Sequence, residues 1–514
     1  MSAFEDKRPK IQLPGDNRLL GDFGAELGRA MQPTNMFRRG ELVYTVNAAG
    51  DRLERMAPDR LRTWLEQYAV CYKMRNGATG EVIQIRRTMS QGDAVGVLAA
   101  PQFLNELREI ERFNPVRMPI RRFDGRIELL HPGYDEYAKV YTADNAPLLV
   151  DCVPMDMAKE IVDELLSEFV FADGGRSKAV AVAAMVSVFA LGILPPRSVR
   201  PCFIVLANAE GAGKTLLVKT AVVPALGYAP SAVLPRDDDE MRKVLLSAVI
   251  EATPVLFFDN YKGHLASEAL EGFLTSQDWS GRVLGGQATF RGENNCLVFV
   301  TGNGCTVSPD MRRRSLFCEL FLEVDRAEDR RFNQYLEVPV LLERRNDILA
   351  ALWAFVRDWH QAMEPKPSRT HSGFPEWAAN IAGIVEYAGY GCPLETPLIE
   401  AAADVDSDDM RALVKAIANG SLFGSVSFDE LVQISETNGL FERFTAGLKG
   451  EKTKMGSAST FGKILRSYDG RLVGEHRFLL AGKGKGRKYV AEKAVQESTN
   501  GIGGVGRIGV SVGT

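Results

Sequence analysis

The chain has 514 residues, 45% hydrophobic and 25% charged, with a formal net charge of −4. This length predicts about three domains and a real buried core. The composition excludes disordered, collagen-like and disulfide-scaffold proteins, and the modest net charge excludes a chain that is basic throughout, so charged partners must be sought in local patches. The seven cysteines include no C-x-x-C pair. That argues against zinc and a disulfide framework and fits a reducing compartment. The opening MSAFEDKRPK has no apolar core, so no signal peptide is expected. The longest apolar run, Ala179–Leu194, has 16 residues. It is shorter than the ~18–20 of a membrane span and predicts a buried helix. The expectation is a soluble, cytoplasmic protein with no membrane contact.

In chain order, the polar residues 1–35 predict a flexible N-terminus. Over 36–150, short alternating stretches such as Glu41–Val46 and Val82–Arg86 predict a small α/β domain. It has no paired Asp-x-Asp or His cluster of the kind that marks a polymerase or primase metal site. Residues 151–195 predict a helical collar, through Met157–Val170 and the apolar run. Over 196–325, short apolar runs alternate with helical stretches: Cys202–Ala207, Ala232–Leu234, Pro254–Phe258, Cys296–Thr301 and Leu316–Val324. That alternation predicts an α/β core with a parallel sheet. Residues 326–400 predict helices, with Ile348, Leu352, Phe355, Val356 and Trp359 on one face. Residues 405–493 predict a separate small domain. The Gly-rich residues 494–514 predict a disordered tail.

The strongest motif is Asn208-Ala209-Glu210-Gly211-Ala212-Gly213-Lys214-Thr215, between the apolar run Phe203–Leu206 and the helical stretch Leu216–Val223. Strand, glycine loop and helix are the context a phosphate-binding P-loop requires. Backbone N–H groups of the loop and helix start point at phosphates, Lys214 neutralises β- and γ-phosphate charge, and the Thr215 hydroxyl reaches Mg²⁺. Residues 208–216, Leu216 included, are the expected ATP contacts. Asn208 stands where the usual motif has its first glycine, and Asn tolerates a left-handed backbone best among the other residues. Downstream, Val255–Phe258 ends at Asp259, which suits a Mg²⁺ contact in the Walker B role. The next residue is Asn260, which leaves the general base open. Leu297–Val300 runs into Thr301-Gly302-Asn303, where an amide could orient water or touch the γ-phosphate. Asp310–Arg314 supplies arginines that could stabilise charge at a neighbouring subunit's phosphate.

The C-terminal stretch Lys449–Lys493 carries twelve Lys or Arg and four acidic residues, a local +8 against −12 for the rest. A basic module on an acidic body is a nucleic-acid footprint. Helices at Phe428–Ser435 and Ser459–Tyr468, then strands Arg477–Leu480 and Arg487–Val490 around a glycine turn, predict a winged helix. Lys463 and Arg466 would lie on its recognition helix; Lys483, Lys485, Arg487 and Lys488 would be wing contacts to DNA phosphates.

The collinear motifs FDNYKG (Phe258–Gly263), LTSQDWSGRVLGG (Leu274–Gly286), FVTGNG (Phe299–Gly304), SPDMRRR (Ser308–Arg314), VDRAEDRRF (Val324–Phe332), RRNDILAAL (Arg344–Leu352) and FPEWAANIAGIVEYAG (Phe374–Gly389) resemble the AAA+ ATPases of phage, plasmid and prophage replication modules. These are primase-associated and related to superfamily 3 helicases. RRFDGRIELLHPGYDEYAKVY (Arg121–Tyr141) resembles the strand-rich piece that precedes the ATPase. The resemblance spans about Pro119 to Gly391. It implies a five-stranded AAA+ P-loop core with a helical lid over 326–400, and ATP with Mg²⁺ bound between subunits of a hexameric ring. It makes Asn303 sensor 1, Arg313 or Arg314 the arginine finger and Arg345 a second sensor candidate, and it allows a primase partner. Asn260 departs from the family, which often has a catalytic Glu there. Trp279–Asn295 predicts a β-hairpin; related helicases push such a hairpin into the channel, where Arg282 and Arg291 would touch DNA. The expected function is an ATP-dependent DNA helicase or translocase. The alternatives are an ATP-switched initiator or loader, and a defence or regulatory scaffold ATPase acting on proteins.

Overall fold

The computed structural model describes residues 6–15, 17–76, 81–207, 210–282, 289–303, 305–321, 336–396, 409–419, 425–441, 461–462, 465–466, 468–470, 472–473, 476–482 and 487–493. Internal packing divides the chain into two units, Met1–Pro397 and Leu398–Thr514.

Five strands of the first unit form one all-parallel sheet. Their spatial order is Ser231–Ala232, Val255–Tyr261, Leu297–Asn303, Cys202–Ala207, Ser315–Leu320. The strand Cys202–Ala207, here the loop strand, is flanked on both sides. It is buried through Leu206 and reads as an uninterrupted apolar run, as a strand covered on both faces must. Each parallel crossover carries a helix or a longer excursion, including the helix Lys214–Leu226 that follows the loop strand directly, here the loop helix. The expected run Leu316–Val324 is shorter as a strand, ending at Leu320.

The helices on either side of this sheet share a single apolar core. Arg176–Phe189 is buried from Ala179 to its end, which explains its lack of a polar face. Phe203 and Phe299 stack across neighbouring strands at 5.1 Å, and Trp377 meets Phe203 edge-on at 6.1 Å. The Trp377 indole N–H donates to Ser187 Oγ at 2.9 Å, satisfying both buried polar groups. Met155–Leu166 packs on Arg345–Gln361. The segments expected as a collar and a lid thus lie in one core with the loop helix.

The N-terminal residues differ from the expectation of a flexible segment. Leu20–Met31 is a helix whose Phe23, Leu27 and Met31 are fully buried, and Lys10–Gln12 pairs with Val70–Asn76. Its spacing of Phe23, Leu27 and Met31 is the helical i, i+4 pattern, which the neighbouring glycines and Pro33 obscure. Among the described residues, no helix is long and apolar enough to cross a membrane.

The second unit has a helix over 409–419, a helix Phe428–Thr437, helical residues at 461–462 and 465–466, and an antiparallel sheet. The sheet order is Ser425–Val426, Lys488–Lys493, His476–Ala481, Leu472–Val473. Met410, Leu413, Ile417, Leu431, Phe461 and Phe478 form its own core. Ser427 and Glu430 make a reciprocal capping box at the start of the middle helix.

Burial also sets thiol chemistry. It pushes the Cys296 thiol up to about 12 and Cys71 to about 11, and raises Cys202, Cys305 and Cys318. Cys152 alone is exposed. Titration of the native protein with an aromatic disulfide reagent at pH 8 should therefore modify one thiol quickly, Cys152. All seven should react in guanidinium, and rapid native reaction of a second thiol would contradict this packing.

Candidate functional site

The glycine loop joins the C-terminal end of the loop strand to the N-terminus of the loop helix. Gly211 and Gly213 take φ of +80° and +97°, conformations that a side chain would strain. Gly213 is the helix N-cap, and no side chain caps it. The first-turn N–H groups of that helix are the kind that receive an anion. Ala212 is buried, Leu216 packs against the core, and Glu210 pairs with Lys262 at 3.1 Å. Lys214 is 7% exposed, and its burial lowers the pKa of its ammonium against the opposing pull of Glu210 and Asp259. Asn208 and Ala209 lie outside the described residues.

Asp259 sits beside this loop. The Thr215 hydroxyl donates to Asp259 Oδ1 at 2.8 Å. The Thr301 hydroxyl donates to the same oxygen, and accepts from the Asn260 backbone N–H at 2.7 Å. The register explains this cluster. Phe258 faces Val300 and Tyr261 faces Gly302, so Asp259 and Asn260 together oppose Thr301. That one-residue bulge turns the strand end, and Asn260 absorbs it with φ of +57°. Thr301 is a site residue that the motif reading passed over. Its signal was faint, since a Thr in a strand is ordinary β chemistry.

Asn303 ends the strand next to the loop strand, paired with Ala207, the last residue before the loop. Its side chain lies outside the described residues. Asp259, Thr301, Asn303, Lys214 and Thr215 thus come from three adjacent elements at one sheet end. The donor set of one hydroxyl and one carboxylate suits Mg²⁺, which keeps several waters and is completed by phosphate oxygens. Among the described residues, no group of three or more His, Cys, Asp or Glu could hold a metal by itself.

Arg313 and Arg314 lie at the other end of the sheet. Ser315 pairs with Cys202, and the Cys202 N–H donates to the Arg314 carbonyl at 2.9 Å. The six residues of the loop strand separate them from the glycine loop by about 17–20 Å. Arg313 is 75% exposed and pairs with Asp310; Arg314 lies 3.9 Å from Glu271. Arg345 is elsewhere again. Its guanidinium donates to the carbonyls of Pro224 and Ala225, at 2.7 and 3.2 Å. It caps the C-terminal end of the loop helix, a structural role rather than a sensor's, because a helix leaves those carbonyls unpaired.

The expected hairpin is present as Asp278–Arg282 paired with Thr289–Glu293. Phe273 packs edge-on against Trp279 at 5.2 Å and anchors its base. Arg282 is exposed. Arg291 is exposed but pairs with Asp278 at 2.8 Å. In the second unit, Arg466 is exposed on its helix and donates to the Gly462 carbonyl, while Arg487 precedes the last strand and Lys488 opens it. Lys463, Lys483 and Lys485 lie outside the described residues.

The chain matches no protein-family model and no curated protein. Solved structures similar to it include two A-form apo structures of the NrS-1 C-terminal region. One is 10% identical over 89% of this chain and 96% of that one, with a TM-score of 0.37. The other is 10% identical over 92% and 99%, with a TM-score of 0.39. Likeness at this level carries no argument about fold or activity.

Thr301→Val keeps the side-chain shape but strands the Asn260 N–H and removes one donor to Asp259. Urea unfolding should show a loss of about 1–3 kcal/mol, with Thr301→Ser close to the parent. Equal stability of Val and parent would mean the hydroxyl is not structural.

Proposed function

We propose that this chain is an AAA+ ATPase of a phage or plasmid replication module, a DNA helicase or translocase hydrolysing ATP between subunits of a homo-oligomeric ring. The observation that carries the reading is the hydrogen bond from Thr215 to Asp259. It joins a strand–glycine loop–helix to an acidic strand end in an all-parallel sheet whose strand order fits the AAA+ core.

In this reading the loop N–H groups and Lys214 hold the β- and γ-phosphates, and Thr215 and Asp259 hold Mg²⁺. Bound Mg²⁺ supplies charge neutralisation across the phosphates. Thr301 positions Asp259, and Asn303, at the end of the neighbouring strand, would serve as the sensor. Arg313 or Arg314 is too far to serve its own loop, which supports action on a neighbouring subunit's nucleotide. Arg282 on the hairpin and the basic second unit supply DNA contacts, and that unit is read as a winged helix.

One observation favours a second reading, an ATP-switched initiator or loader. Asn260 has no acid to offer a water, and its backbone N–H is already committed to Thr301. Such a site would bind ATP and assemble but hydrolyse slowly.

The test is strand displacement on a forked duplex with Mg²⁺-ATP. Unwinding should occur and vanish in Lys214→Ala. ATP-dependent assembly without unwinding would favour the switch, and the absence of ATP binding would end both readings. Mixing variants tests the shared site. Arg313→Ala alone should lose about 10³-fold in ATPase turnover, with Arg314→Ala as its parallel. Adding Lys214→Ala subunits to the arginine variant that fails should restore activity in mixed rings. No recovery in either mixture would argue against a shared site.

A further inference from the structure

The N-terminal region of the first unit contains a cleft of about 510 Å³, away from the glycine loop. One wall is the helix Pro58–Tyr68. Arg60, Thr63, Trp64 and Gln67 fall at i, i+3, i+4 and i+7, so they make one stripe facing the cleft, while Leu61 and Leu65 face the core. Trp64 and Tyr68 lie ring against ring at 4.3 Å, and both line the opening. The opposite wall is the turn Asn47–Gly50, where Ala48 and Ala49 present only methyl groups. That turn is held shut by Asn47, whose side chain accepts from the N–H groups of Asp51 and Arg52. The cleft floor carries Tyr141, whose hydroxyl donates to Asp144 at 2.8 Å.

Its lining carries two charged groups of opposite sign. Arg60 is paired with Glu54, and the other charged group on the lining is the Asp144 carboxylate. The amides of Gln67 and Asn145 are exposed on the lining, each able to donate and accept. A slot with an aromatic wall, a methyl wall and amides at its rim suits a flat ring with hydrogen-bonding edges. It does not suit a phosphate, which would meet a carboxylate and no uncommitted cation.

We propose that this cleft takes one unpaired nucleobase of a single-stranded nucleic acid, stacked on the Trp64–Tyr68 shelf and edged by Gln67 and Asn145. A base within a strand fits better than a free nucleotide, because the slot has no phosphate-binding group and a strand's backbone is held by contacts outside it. The proposal is independent of the ATPase reading and concerns a region to which that reading gives no task.

The experiment uses the full chain without ATP. An oligo(dT) carrying one 5-iodouracil is irradiated at a wavelength that couples the base to stacked aromatic rings, and the linked peptides are identified. The expected result is linkage at Trp64 or Tyr68. It should fall at least about fivefold in Trp64→Ala and in Tyr68→Ala, and stay unchanged in Lys214→Ala. Because Trp64 is half-buried, Tyr68→Ala and Gln67→Ala serve as the variants least able to disturb folding, and each thermal unfolding midpoint is measured alongside. Linkage only at other sites, absence of oligonucleotide binding, or labelling by free 5-iododeoxyuridine monophosphate but not by the oligonucleotide would each overturn the proposal.

Discussion

A single carboxylate oxygen organises the end of the central sheet. Asp259 Oδ1 accepts a hydroxyl from the loop helix and another from the neighbouring strand, so three elements meet at one atom. Each demand leads to the next. Asp259 can face Thr215 only if its strand end turns, and the bulge opposite Thr301 turns it. The bulge needs a residue at positive φ, and among side-chain-bearing residues Asn adopts that conformation at low cost. Thr301 then closes the arrangement by accepting the N–H that the bulge removes from the ladder. Asn260 is thus explained by backbone geometry before any catalytic role is considered. A longer acidic side chain would have to bear the same φ.

The N-terminal region is tied to this sheet by apolar packing, through Val116, Met118 and Ile127 in the shared core, and by polar contacts. Within the core itself, Arg200, which precedes the loop strand, donates to the Asn294 carbonyl and to the Asn295 side chain just after the hairpin, at 2.9 and 3.1 Å. Arg39 reaches the Val249 carbonyl and lies 3.7 Å from Glu111, and the Tyr44 hydroxyl donates to the Ile250 carbonyl. Burial pulls the Arg112 and Arg200 guanidinium groups down to about 10. Buried charges of this kind stabilise little in net terms, because desolvation offsets the pairing. They do fix geometry, since a displaced guanidinium would be left buried and unpaired. The return strand of the hairpin, Thr289–Glu293, runs directly into Asn294. The carbonyl of its last residue, Glu293, accepts from Arg39 at 3.5 Å, so movement of the hairpin bears on a contact that holds the N-terminal region.

Legibility in the sequence followed burial and local chemistry. The strands of the parallel sheet were readable because a strand covered on both faces is a short apolar run bounded by turns. The glycine loop was readable because its backbone conformation restricts residue type. The helix Leu20–Met31 was hidden by its glycines, and its burial comes from packing against the Pro101–Leu104 turn, a tertiary fact. Thr301 was hidden because its role depends on a register shift that no local pattern encodes. Arg345 was misread for a related reason. An arginine at a helix start has the same appearance whether it faces a ligand or caps another helix, and only the approach of the Pro224 and Ala225 carbonyls separates the two.

The distance between the two ends of the sheet bears on assembly. The loop opens at the C-terminal end of the strand Cys202–Ala207, and the arginines precede the strand that pairs with its N-terminal end. Both are fixed to adjacent strands of one sheet, so no side-chain rotation closes a gap of about 17–20 Å. A hinge within the chain would have to break the ladder between them. On the proposed ATPase reading, charge developing on a bound γ-phosphate would receive these arginines only from another copy of the chain. On the proposed reading, the head-to-tail geometry this requires is the one that closes into a ring when the rotation between subunits is right, and continues as a filament when it is not.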